Sequence, residues 1–109
     1  MDEVVGELRG LEGVKAVRRF SGSLRVELFS RPVQGSDVVE ISGDPRRISQ
    51  GIRSVFEDAR KEGIVESWEW VVKPEKKYRD SSPVDGVSDR SAKGYDRGFY
   101  RVSFRPARE

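Results

Sequence analysis

Residues 42–63, SGDPRRISQGIRSVFEDARKEG, carry the clearest structural signal of the chain, because they have the pattern of an amphipathic helix with both ends marked. Asp44 is a good N-cap, since its carboxylate can accept hydrogen bonds from free amides of the first turn. Pro45 falls at the first helical position, where a missing N–H costs nothing. Gly63 suits the left-handed conformation that closes a helix. The apolar stripe consists of residues at helical spacing: Ile48, Ile52, Val55, Phe56 and Ala59.

Two apolar, strand-like runs flank this helix, residues 38–41 before it and residues 64–72 after it. A helix with one apolar stripe between extended segments should lie on one face of a sheet. In the second run, simple alternation places Trp68 and Trp70 on one face and Val65 and Val71 on the other. The tryptophans then either cover the helix as part of the core or form a platform on which bases stack.

The remaining apolar patterns predict a short helix, a β-hairpin and a last strand. Residues 2–9 predict a short helix, which Gly6 weakens. Residues 14–20 and 24–29 predict a β-hairpin joined through Ser21-Gly22. Residues 99–105 predict a last strand that pairs antiparallel with the strand following the main helix.

The predicted fold is therefore a single α+β domain over residues 1–105, with a mainly antiparallel sheet and the helices packed on one face. A long β-hairpin arm spans residues 73–98, and its polar segment, residues 74–97, is expected to be a flexible loop. The tail, residues 106–109, is expected to fray.

The composition excludes several classes of function. The 109 residues contain no cysteine, so disulfides, thiolate metal sites and thiol nucleophiles are excluded. They also contain no histidine, which removes the commonest general base and the commonest metal ligand. No apolar run is long enough to span a membrane, and the N-terminus lacks the pattern of a signal peptide. We expect a cytoplasmic protein that is not an enzyme and has no metal, cofactor or membrane partner.

Positive charge collects in the last third of the chain, although the net charge of the whole chain is only +2. Residues 73–109 contain 10 lysines and arginines against 6 acidic residues. Basic residues alternate with tyrosines in the arm, a composition that suits phosphate contacts and base stacking. The alternative is a solvated loop whose acidic residues partly cancel the charge. The candidate nucleic-acid-binding residues of the arm are Lys73, Lys76, Lys77, Tyr78, Arg79, Arg90, Lys93 and Arg97, with Tyr95 and Tyr100 beside them.

Arg46 and Arg47 lie at the start of the main helix, where free amides and the positive end of the helix dipole favour a phosphate. Their guanidinium groups add forked donors at that position. Asp44, however, places an anion in the same corner. Two interpretations stay open: a phosphate contact, and an ordinary capped helix with exposed arginines.

The segments Val38-Val39-Glu40-Ile41 and Arg46-Arg47-Ile48-Ser49, followed by the two strands of the arm, resemble the Alba family of archaeal chromatin and RNA-binding proteins. That family has a strand, a helix opening near Gly-Arg-x-Ile-Ser, and two strands joined by a long basic arm. The resemblance is restricted to the second half of the chain. It implies that Arg46 occupies the helix-start arginine position and that the protein is a dimer. It also places on a DNA-contacting arm the residues Lys76, Lys77, Arg79 and Arg90.

A second resemblance comes from the first half. Residues 8–17, LRGLEGVKAV, are similar to the helix–Gly–Val–strand junction of small ferredoxin-like modules. The order helix–strand–strand–helix–strand–strand would be such a fold with its first strand moved to the C-terminus, where it still pairs with the strand before it. These modules serve as regulatory, dimerisation or RNA-binding units, and the fold alone does not fix the function.

The leading functional hypothesis is a non-enzymatic nucleic-acid-binding protein, with DNA and RNA both open. The alternative is a protein-interaction or oligomerisation module whose partner covers apolar residues on the sheet face away from the helices. The residues expected on that face are Phe29, Val65, Val71 and Phe99.

Overall fold

The computed structural model describes residues 1–33, 37–78 and 93–107. In chain order, the described elements are α1 (Asp2–Arg9), β1 (Val14–Phe20), β2 (Ser23–Leu28), β3 (Ser30–Pro32), β4 (Val39–Ile41), α2 (Pro45–Lys61), β5 (Val65–Val72), β6 (Lys76–Tyr78), β7 (Lys93–Tyr95) and β8 (Phe99–Pro106). The predicted α+β class is confirmed.

The main sheet has the strand order β1-β2-β8-β5, and every neighbouring pair is antiparallel. The predicted hairpin is β1 with β2, and the predicted pairing of the last strand with the strand after the main helix is β8 with β5. β8 also pairs with β2 on its other side, so the C-terminal strand lies inside the sheet. The pairing of β8 with β5 is the arrangement expected of a ferredoxin-like module whose first strand has moved to the C-terminus.

Helix α2 has the ends that its sequence predicts. The Asp44 carboxylate accepts a hydrogen bond from the Arg46 amide at 3.0 Å, and Pro45 is the first helical residue. Gly63 follows the last turn with a φ of +81°. The predicted stripe is buried and packs with Val4, Val5 and Leu8 of α1 in one core above the main sheet. Both helices therefore cover the same face of that sheet.

β5 departs from the predicted alternation at its first residues. Val65 was expected on the solvent side, and this prediction is wrong, because its side chain is buried in the core with 1% exposure. The cause is an irregularity in the β5–β8 register between Val65 and Ser67, which places Val65 and Trp68 on the same side of the sheet.

Both tryptophans lie on the helix side, so the core interpretation is confirmed. The Trp68 ring stacks on Phe56 with 5.5 Å between centroids, and Trp70 lies 5.5 Å from the Tyr100 ring. The Trp68 indole N–H donates to Glu57 Oε2 at 2.8 Å, which together with Arg60 lowers the pKa of that carboxyl.

The structure also has a second sheet, with the strand order β3-β4-β7-β6, and it differs from the predicted fold in two respects. A single sheet was expected, but β4 pairs with β3 and with β7 rather than joining the main sheet. Residues 74–97 were expected to be a flexible loop; within that range Lys76–Tyr78 and Lys93–Tyr95 form the paired strands β6 and β7, and residues 79–92 lie outside the described residues. Gly94 permits the close approach of β7 to β4, since a Cβ at this position would overlap the Val38 side chain.

The C-terminal strand is longer than expected. Pro106 still pairs with Val65 in the main sheet, and the Ala107 amide donates to the Ile64 carbonyl at 3.2 Å. The strand therefore includes the first residue of the predicted tail. Residues 34–36, Gln-Gly-Ser, have the composition of a turn and lie outside the described residues.

Substitution of alanine for glycine should have opposite effects on stability at two positions, Gly6 and Gly13. Gly6 is exposed within α1, and an added Cβ would meet no atom within 4 Å, so Gly6→Ala should raise the free energy of unfolding by about 0.5–1 kcal/mol. Gly13 has a φ of +96°, and a Cβ there would come within 2.9 Å of Ile48 Cδ1. Gly13→Ala should therefore lower stability by about 1–3 kcal/mol. Urea unfolding of both variants checks the pair, and a stabilised Gly13→Ala variant would contradict the described backbone before β1.

Candidate nucleic-acid interface

The start of α2 presents two exposed arginines, Arg46 and Arg47. Among the described residues, neither guanidinium forms an ion pair. The Arg46 amide is already bonded to the Asp44 carboxylate, so the capping interpretation of this corner is confirmed for that amide. A phosphate here would be met mainly by the two side chains, whose donors remain exposed to solvent.

Tyr100 fixes the start of α2 to the centre of the main sheet. Its hydroxyl donates to the Pro45 carbonyl oxygen at 2.8 Å, across 55 positions of sequence. The side chain is buried, and this burial is the main reason that the pKa of Tyr100 is raised to about 12; Tyr95 and Asp44 add smaller effects of the same sign. Tyr95 therefore lies close to the same corner.

The base of the arm reaches the same end of the molecule. Lys73 follows β5 directly, and its Nζ lies 5.2 Å from the centroid of the Trp70 ring, within the range of a cation–π contact. Trp70 in turn neighbours Tyr100. A continuous series of contacts thus connects Pro45 at the helix start with Lys73 at the start of the arm.

Lys76 belongs to the same side of the second sheet as Tyr95. These two residues are direct partners in the β6–β7 register, and Tyr95 is also the partner of Val39 in β4. Directly opposed residues of antiparallel strands point to the same face. Lys76 therefore shares a face of the second sheet with Tyr95, whose charge contributes to the raised pKa of Tyr100.

We call Arg46, Arg47, Lys73 and Lys76 the helix-start surface. Arg46 and Arg47 belong to the first turn of α2, and Lys73 and Lys76 belong to the base of the arm, to which the contact series from Pro45 leads. The surface is not purely basic, because Asp44 and Glu75 belong to the same region.

Arg97 has a structural environment of its own. Its Nη2 lies 3.1 Å from Asp96 Oδ2, and the other oxygen of Asp96 accepts the Glu75 amide at 2.8 Å. The Asp96 amide also donates to the Glu75 carbonyl at 2.9 Å. Asp96 therefore holds the two segments of the arm together at the boundary between the main sheet and the second sheet. The positive charge of Arg97 is largely compensated by the neighbouring Asp96 carboxylate.

The other candidate residues lie at the edge of the described ranges or beyond them. Lys77, Tyr78 and Lys93 are placed in β6 and β7 by their backbones. Arg79 and Arg90 lie outside the described residues, as does the tip of the predicted arm.

The sheet face opposite the helices carries a second group of basic residues that the sequence pattern did not combine. Arg18, Arg25 and Arg101 are register partners across β1, β2 and β8, so they form a row on this face. Two phenylalanines accompany them, Phe20 on β1 and Phe99 on β8. Along both β2 and β8, polar residues alternate with apolar ones, which indicates one solvent-facing side for each strand. Only the pairing of β2 with β8 brings the two faces together.

Within the described ranges, no group of three or more potential metal ligands comes together. Neither described helix combines the length and the apolar composition needed to cross a membrane.

Comparison with known proteins gives no relative. No protein-family model matches the chain, and neither a curated protein nor a solved structure similar to it was found. The resemblance to the Alba family therefore stays a prediction.

Ionisation of Tyr100 should destabilise the folded protein at alkaline pH. Its pKa is about 12 in the folded protein against 10.0 for an ordinary tyrosine, so the folded state keeps this proton longer than the unfolded chain. The resulting contribution to stability is complete below pH 10 and is lost as the pH rises towards about 12. Tyr100→Phe should remove this part of the decline, and at neutral pH it should cost about 1 kcal/mol for the lost hydrogen bond. Urea unfolding of both proteins across this pH range measures the difference, and parallel curves would contradict it.

Proposed function

We propose that this chain is a non-enzymatic nucleic-acid-binding protein that grips phosphates with the helix-start surface and the basic arm. The observation that carries the proposal is the contact series from Pro45 through Tyr100 and Trp70 to Lys73. It links the first turn of α2, which carries Arg46 and Arg47, to Lys73 at the base of the arm.

The chemistry of the surface suits a polyanion. Exposed guanidinium groups can form two parallel hydrogen bonds to one phosphate, and Arg46 and Arg47 lose little hydration in making them because they are exposed. Lys73 supplies a point charge held near the Trp70 ring. Because each phosphate contact releases condensed counterions, binding by such a surface should weaken steeply as salt rises.

The proposal refines the role of the helix terminus. Since Asp44 occupies the Arg46 amide, the side chains of the first turn, rather than its free amides, would carry the phosphate contact. The Asp44 carboxylate also keeps the first turn ordered, which fixes the positions from which Arg46 and Arg47 extend.

Neutralising the two helix-start arginines should flatten the salt dependence of binding. For Arg46→Gln with Arg47→Gln, we expect weaker binding to both duplex and single-stranded nucleic acid. The slope of log affinity against log salt should fall in magnitude by about 2, one for each lost phosphate contact. Fluorescence anisotropy with a labelled oligonucleotide at several salt concentrations measures both quantities.

Lys61→Gln is the matched control, because it removes a positive charge at the other end of the same helix. The 17 residues of α2 separate its termini by roughly 25 Å. The control should keep the wild-type slope. Wild-type protein that binds no nucleic acid even at low salt would end the proposal, and equal effects of both changes would remove the helix start from it.

The alternative, a protein-interaction module, has support in two exposed apolar side chains. Phe29 is 50% exposed and Val71 is 54% exposed. Val65 does not add to this exposed apolar surface, because it is buried. The Phe99 ring is covered by Arg25 and so is less available to a partner. Sedimentation across a range of concentrations tests self-association; a monomer at every concentration argues against the oligomerisation form of this alternative.

A further inference from the structure

We propose that the main-sheet face opposite the helices binds the unpaired bases of a single-stranded nucleic acid. We call this surface the open face and define it by Arg18, Arg25, Arg101, Phe20 and Phe99. The inference rests on the proposed function and extends it, because it assigns a second site and a substrate class that the helix-start surface does not specify.

The sheet register places the three arginines side by side. Arg18 is the direct partner of Arg25, and Arg25 is the direct partner of Arg101. The neighbouring residues Val26 and Val102 point the other way and are buried in the core. The row therefore runs across three strands at the centre of the open face.

Each of the two phenylalanines lies beside one of these guanidinium groups. The Arg25 guanidinium carbon is 3.8 Å from the centroid of the Phe99 ring, and that of Arg101 is 5.2 Å from the Phe20 ring. The Arg101 side chain is also held by a 3.3 Å hydrogen bond to Ser23 Oγ. Both guanidinium groups are thus oriented by an aromatic ring, so their planar surfaces are prepared for a further stacking partner.

The stacking surfaces remain accessible. Phe20 is 45% exposed, and the Arg25 side chain is 37% exposed although it covers Phe99. From the strand spacing and residue rise, the two phenylalanines are roughly 17 Å apart. A chain of several nucleotides could therefore contact both ends of the face at once.

The charge of the open face fits a polyanion. Glu27 lies between two arginines, 2.9 Å from Arg18 Nε and 3.3 Å from Arg25 Nε, and so compensates one charge of the pair. Arg101 forms no ion pair among the described residues. Positive charge at the centre also opposes a second copy of this chain on the same face, because symmetric pairing would bring the arginine rows together.

Unpaired bases are the part of a nucleic acid that such a face can recognise. Stacking requires an accessible π-face, which single strands offer and a duplex hides inside its base stack. A duplex could touch the arginines only through its phosphates, and the phenylalanines would then contribute nothing. The combination of rings and guanidinium planes therefore favours single strands.

The experiment compares an oligothymidylate of about 12 nucleotides with a duplex of equal length, by fluorescence anisotropy. In the Phe20→Leu, Phe99→Leu double variant, apolar volume is kept and the aromatic surface is removed. Affinity for the single strand should fall about tenfold or more, while duplex affinity and its salt slope should stay at wild-type values. Circular dichroism and urea unfolding confirm that the variant is folded.

Phe29→Leu is the matched control, because Phe29 is 50% exposed, against 45% for Phe20, and lies beyond the registered pairs of β2. It should bind both ligands as the wild type does. Arg25→Lys is a second test, since it keeps the charge and removes the planar group. It should weaken single-strand binding without changing the salt slope.

The outcomes separate the two proposals. If the wild-type protein binds neither ligand, the proposed function is wrong, and this inference is wrong with it. Binding of both ligands with no single-strand loss in the double variant overturns the inference and leaves the proposed function intact. A concentration-dependent dimer that the double variant disrupts, with no change in single-strand affinity, would assign the open face to protein contact and overturn the inference as well.

Discussion

The pairing of β8 with β2 on one side and β5 on the other is the constraint on which the rest of the structure depends. Because side chains alternate along a strand, this single placement supplies both candidate surfaces. Tyr100 points into the core and holds the start of α2, while Arg101 points outward and completes the arginine row. Without the β2–β8 pairing, neither the helix start nor the open face would have its present neighbours.

Local patterns were sufficient for the two described helices and for the strands of the main sheet. The cap at Asp44 and Pro45, the stripe of α2 and the hairpin of β1 with β2 all follow from residue types at short spacing. The exceptions arise from contacts between distant residues. The bulge that buries Val65 depends on the register with β8, and the second sheet depends on Gly94 allowing close contact with Val38.

The candidate surfaces show the same division. The sequence identified Arg46, Arg47, Lys73 and Lys76 as candidates, but the contact series from the helix start to Lys73 depends on the buried hydroxyl of Tyr100. The alternation of polar and apolar residues indicates a solvent-facing side for β2 and for β8, but it does not reveal that the two strands are neighbours. Non-local pairing is set by the total burial of the core, which short motifs do not contain. The open face was therefore beyond sequence reasoning, although every residue in it was visible.

The break between the two sheets has a mechanical consequence. The Asp96 carboxylate accepts a hydrogen bond from the Glu75 amide and forms an ion pair with Arg97. The Asp96 amide donates a hydrogen bond to the Glu75 carbonyl. These interactions hold both segments of the arm together where they leave the main sheet. Only three residues separate β5 from β6, and three separate β7 from β8. A force applied to the arm would therefore act directly on the core through these short connections, because they are too short to serve as a flexible linker. Lengthening either connection would uncouple the orientation of the arm from that of α2, even if every strand and helix kept its own geometry.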